Sequence, residues 1–175
     1  MSLPTLSVSP KLLQEIEDEM RPGWRRPEDA AVKNAGTARE SAEWYEVADI
    51  VEVGAKMNDK DPTMMQLLVV LQVNPDSQHT EQIGKKQWQR FFIVPEALSN
   101  TNHPKHDMSR RNLQGVTSLI RSLGADPQDY SDLTVLFSPD ESELLGKTVR
   151  VKAREYKNKN GETQLETSRF YPSEG

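Results

Sequence analysis

Between residues 147 and 171 the chain reads as two segments of alternating character joined by "KNKNG". The Asn160-Gly161 pair in that joint restricts the fold more than any other feature. Asn-Gly supplies the positive-φ turn that matches the twist of paired strands, so 147–156 and 162–171 are predicted to form a β-hairpin. A pleated strand sends successive side chains to opposite faces. Val149, Val151 and Ala153 therefore point to a core, while Arg150, Lys152, Arg154 and Tyr156 line the other side. Lys147 precedes this stripe, and Lys157 and Lys159 extend it into the turn. Taken alone, the stripe is either a solvated face that shields an edge strand or a grip on an anion.

The upstream sequence adds three more strands and a helix. "EWYEVADIVEV" (43–53) keeps Tyr45, Val47, Val51 and Val53 on one face, interrupted by Asp49, and "GAKMNDKDP" then reads as a polar turn. "TMMQLLVVLQV" (63–73) is apolar and rich in β-formers, with Gln66 and Gln72 on its weaker face, which predicts a central strand. "QWQRFFIV" (87–94), ended by Pro95, is a third. If Phe91 and Ile93 fill the core, Trp88 and Arg90 face outward together with Phe92; the opposite assignment inverts the set. Leu113, Val116, Ile120 and Leu123 recur at helical spacing, with Gly124 placed to stop a helix over 109–123. The acidic stretch 125–146 offers one or two short helical turns. Near the N-terminus, Ser9 and Pro10 introduce an amphipathic helix over 10–20. A Pro- and Gly-containing linker follows, in which Trp24 is placed to pin the chain to the surface.

The 175 residues fit one domain at 42–173 with a helix-and-linker arm at 1–41. Their net charge of −5 gives no bulk attraction for nucleic acid, but the cations are concentrated in 85–111 and 145–175. The absence of cysteine excludes disulfide frameworks, thiolate nucleophiles and Cys-based zinc sites, and mildly favours an intracellular origin. No apolar run reaches the ~18 residues of a membrane span, and the N-terminus lacks a signal-peptide pattern, so no membrane association is expected. His103, His106 and Asp107 surround a proline and lack further ligands, so no metal site is expected there. Asp140, Glu141 and Glu143 match general acid–base chemistry only in composition. No nucleophile-elbow, zincin or P-loop pattern is present, so no enzyme and no cofactor are expected.

Three strands, a helix and two strands is the element order of the OB-fold, a five-stranded, partly open Greek-key barrel. That is the expected architecture, with the helix between strands 3 and 4 and an extra helix at the N-terminus. "SLIRSLGAD" followed by "LLGKTVRVKAREYKNKNGETQLETSRFYP" resembles a family of phage proteins encoded with replication and recombination genes. The likeness spans 44–172 and rests on Leu145, Gly146, Lys147, Gly161 and the Phe170-Tyr171-Pro172 ending. It implies a single-stranded DNA-binding OB domain acting in the bacterial host cytoplasm beside replication or recombination proteins. The chain departs from that pattern in the length of 1–41 and in ending "YPSEG", without the acidic tail through which many single-strand binders recruit partners.

Single-strand binding needs cations along the phosphates and flat side chains under the bases. The candidate contacts are Lys85, Lys86, Trp88 and Arg90 on and before the third strand, with Lys147, Arg150, Lys152, Arg154, Tyr156, Lys157 and Lys159 on the hairpin. In an OB barrel both groups belong to one sheet system, and a shared groove is the expectation. The rival reading is an OB-like protein-interaction or structural module whose acidic segments near Glu15 and Asp140 make the contact. Either reading is compatible with a monomer or a homo-oligomer.

Overall fold

The computed structural model describes residues 4–20, 43–76, 80–157 and 159–170, with backbone alone at 43–46, 153–157 and 163–169. The linker, including Trp24, lies outside the described residues. Among the described residues, two helices and five strands follow in the order α1 (Pro10–Met20), β1 (Glu43–Met57), β2 (Met65–Val73), β3 (Lys86–Ile93), α2 (His106–Ser122), β4 (Thr148–Lys157) and β5 (Thr163–Phe170). Short 3-10 turns at Pro127–Asp129 and Leu133–Phe137 occupy the acidic stretch.

The strands pair in the order β1-β2-β3-β5-β4, and β4 returns to β1 to close the ring. The β1–β2, β2–β3, β4–β5 and β1–β4 pairings are antiparallel ladders. The β3–β5 seam is parallel and rests on one residue pair, Gln87 with Leu165. Helix α2 packs on both strands of this seam. There it takes over part of the ladder's work: Asn112 Nδ2 donates to the Phe92 carbonyl at 2.7 Å, and the Val94 N–H donates to Ser109 Oγ at 2.9 Å. Gly115 makes the close approach of α2 possible, because a Cβ there would stand 2.5 Å from the Phe91 ring. Phe91 in turn meets Phe137 edge-on and Phe170 at a tilt, each with ring centres 6.4 Å away. The core thus runs from the barrel interior into the space under α2.

The first strand departs from its predicted pattern in two ways. Its buried residues are Ala48, Ile50 and Val53, whereas Val51 is 40% exposed. A β-bulge explains this: Ile50 pairs with Leu71 and Glu52 with Val70, so Val51 is the extra residue and the inward parity changes across it. The strand also continues through Gly54, Ala55 and Lys56, because Leu68, Leu67 and Gln66 on β2 supply partners for a segment that reads locally as a turn.

Helix α1 begins where Ser9 caps it, its Oγ accepting from the Leu12 N–H at 3.2 Å. Its buried side is Leu13, Ile16 and Glu17, and it packs on α2. Glu17, 1% exposed, accepts two bonds from Arg121, from Nε at 2.9 Å and Nη2 at 2.8 Å. Arg110 Nη2 donates to Glu19 at 2.6 Å. Ahead of the helix, buried Leu6 is held through both backbone groups, its N–H by Asp132 Oδ1 and its carbonyl by the Leu133 N–H. The helix therefore belongs to its own barrel.

Candidate nucleic-acid interface

Strand β3 divides its side chains cleanly. Gln87, Phe91 and Ile93 are buried, while Lys86, Trp88 and Arg90 are exposed on the opposite side. Phe92 shares their parity but is half-buried, so it is not a fully presented ring. Trp88 is 47% exposed, and its cross-strand neighbour Val70, on the same outer face, is 1% exposed. The indole is thus half committed to the protein and half open to solvent.

Directly paired residues share a face, so the register lays out this outer surface row by row. One row is Lys86, Gln72 and Asp49; the next is Trp88, Val70 and Glu52. Then come Arg90, Leu68 and Gly54, and finally Phe92, Gln66 and Lys56. From Lys86 to Phe92 the track is about 20 Å long at the strand rise of about 3.3 Å per residue. Its charge is uneven across the sheet: β3 carries Lys86 and Arg90, whereas β1 carries Asp49, Glu52 and Lys56, the last paired with Asp59 at 3.5 Å. Asp49 is occupied by Asn74 at 2.8 Å and Thr148 at 2.7 Å. At the far end, Asp61 in the β1–β2 loop has its carboxyl held below the usual range, chiefly by the Thr63 hydroxyl and N–H, with smaller contributions from Lys105 and His103.

The hairpin cations occupy a different part of the surface. Arg150 and Lys147 are exposed and Lys152 is half-buried, with Val149 and Val151 buried as the alternation requires. Ring order, however, puts β5 between β3 and β4 on one side and β1 with β2 on the other. The two basic stripes therefore lie on strands that are not neighbours in the ring. They approach each other at one end of the barrel, where β3 begins with Lys85 and Lys86 and the β4–β5 turn carries exposed Lys159. Arg154 is registered between Glu43 on β1 and Glu166 on β5. The side chains of Arg154, Tyr156 and Lys157 lie outside the described residues.

Lys147 sits at the opposite barrel end and lines a 270 Å³ cavity with Ile120, Tyr130, Leu136 and Glu143. Tyr130 donates to Glu143 at 2.9 Å there. The histidine loop uses its nitrogens locally: His103 Nδ1 accepts from the Lys105 N–H, and His106 Nδ1 bonds the Ala97 carbonyl. Among the described residues no group of three or more His, Cys, Asp or Glu is arranged to hold a metal, and no helix is long and apolar enough to cross a membrane.

Sequence reading singles out Lys86, Trp88 and Arg90, with Lys85 just ahead of the strand, but not Gly54, Leu68, Val70 and Lys56, which share the face of the first three. A glycine within a strand is the signal that points to such a place, and it is hidden because Gly54 reads as the start of a turn. Compared with protein-family models and with curated protein sequences, the chain matches none.

Proposed function

We propose that this chain is a sequence-tolerant single-stranded DNA-binding protein, built on an OB-fold and serving phage-type DNA replication or recombination. The ring order, with a helix between the third and fourth strands, agrees with a five-stranded Greek-key OB barrel. The observation that carries the function is the half-open indole of Trp88 between the exposed cations Lys86 and Arg90 on one outer sheet face. Bases stack on the ring, which tolerates any sequence because every base has a π-face, while Lys85, Lys86 and Arg90 follow the phosphates. Lys159, Lys157 and the β4 cations extend the grip around the barrel end. The role is binding and protection in the host cytoplasm rather than catalysis.

Fluorescence anisotropy with labelled oligo-dT at low salt tests this reading. Binding that weakens as salt rises, and a loss of ~1–3 kcal/mol in Trp88→Ala, are expected. Wild-type protein that fails to bind, or that binds duplex equally well, overturns it.

A further inference from the structure

We propose that the shallow trough between Trp88 and Gly54 is a nucleobase site, in which one unstacked base lies across β2 with its phosphate over β3. The inference rests on the single-strand reading above and adds the position and orientation of the bound base.

Three relationships lead to it. First, the Arg90–Leu68–Gly54 row has no side chain at its β1 end, so half-buried Leu68 forms an open apolar floor bordered by Gly54. Two interstrand spacings, about 10 Å, separate β3 from β1 here, wide enough for a single flat base. Second, the neighbouring row places half-open Trp88 beside covered Val70, and the bulge residue Val51, 40% exposed, sits at its β1 end. The trough is thus lined by an aromatic ring and aliphatic groups, the environment that unstacked bases seek. Third, charge favours one direction: Lys86 and Arg90 are on β3, whereas β1 carries Glu52 and Lys56, the latter paired with Asp59 at 3.5 Å. Two cations draw phosphates to the β3 side, while on the β1 side Lys56 is offset by Glu52 and Asp59, so the base points from β3 toward β1. Gln66 in the next row carries an amide with both donors and acceptors, able to meet the edge of any base.

Gly54 permits a test that leaves the fold in place. Its φ is not among the positive values, and a Cβ there would meet Leu68 at 3.8 Å, ordinary van der Waals contact. Valine is a better strand residue than glycine, so Gly54→Val should keep or raise the melting temperature. If a base occupies the trough, the same change should weaken oligo-dT binding tenfold or more, with Gly54→Ala intermediate. An abasic oligonucleotide of equal length should bind wild type and Gly54→Val alike, since only the base is excluded. Oligo-dT affinity unchanged in folded Gly54→Val, or in Gly54→Ala should valine prevent folding, overturns the inference and leaves the single-strand reading standing. An equal loss on the abasic strand also overturns it, by pointing to the phosphate path. Wild-type protein that binds no oligo-dT removes the reading itself and the inference with it.

Discussion

Arg121 holds Glu17 by two parallel hydrogen bonds, at 2.9 and 2.8 Å, joining the buried side of the N-terminal helix to the helix that covers the β3–β5 seam. The carboxylate is almost wholly buried, whereas the guanidinium keeps some solvent and a second neighbour, Asp126 at 3.3 Å. Glu17→Ala should destabilise the protein by about 1.5–3 kcal/mol, the range for hydrogen bonds to charged groups. Glu17→Gln should cost less. Thermal melts of the two variants check this, and equal melting temperatures for wild type and Glu17→Ala would show that α1 is not anchored there.

Gly115→Ala should also destabilise, although alanine is the better helix former by about 1 kcal/mol. The added methyl would stand 2.5 Å from Phe91 Cε1, and that ring is backed by Phe137 and Phe170. Overpacking of this kind costs roughly 1–3 kcal/mol. A melting temperature lowered by several degrees is expected, and a raised one would mean that α2 can withdraw from β3 freely.

Asp132 makes the N-terminal clasp sensitive to acid. Burial acts to raise its pKa, but the N–H of Leu6 and the hydroxyl and N–H of Thr134 outweigh it and hold the carboxyl below its ordinary 3.8. A carboxyl depressed on folding stabilises the protein above its unfolded-state value, and that contribution is lost as pH falls through the folded-state value. Between about pH 5 and pH 2, wild type should therefore lose more melting temperature than Asp132→Asn. Parallel acid limbs would remove Asp132 from this role.

The separation of the basic stripes predicts unequal effects of charge reversal. Lys86→Glu with Arg90→Glu should abolish oligo-dT binding, because both flank the open indole. Arg150→Glu with Lys152→Glu should weaken it several-fold at most. In the second variant the salt dependence should become shallower by about 0.7 in log–log slope for each phosphate that the protein no longer neutralises. Binding abolished by the β4 pair and spared by the β3 pair would move the interface to the hairpin.

The sequence and the structure agree where signals are local. Ser9 and Pro10 place α1 at Pro10–Met20 as predicted, Gly124 stops α2 with its φ of 78°, and Gly161 turns the hairpin with the same φ. Val149 and Val151 on β4 are buried by the alternation that the sequence shows, whereas on β3 the sequence leaves the two faces open and burial assigns Phe91 and Ile93 to the core. Residues 54–57 read as a turn yet form strand, because their pairing with β2 is non-local. Val51 inverts the apparent face of β1 through a bulge that composition does not announce. The candidate site shares this limit: its cations and tryptophan are visible one by one, but the neighbours of Trp88 follow from register. The relation of β3 to β4 follows from ring order, with β5 between them, which no single segment encodes.

The one-pair seam between β3 and β5 gives the barrel a direction in which to breathe. Whole antiparallel ladders must break to open it elsewhere, but here retreat of α2 leaves the Gln87–Leu165 pair and side-chain packing such as Phe91 on Phe170 to hold the ring. Amide protons along the seam edge of β3 are therefore expected to exchange with solvent through partial openings that leave β1–β2 and β4–β5 protected. The strand that presents Trp88 and Arg90 is one of the two staves of this seam, so a polymer lying along it would act as a splint, slowing those openings without touching the seam.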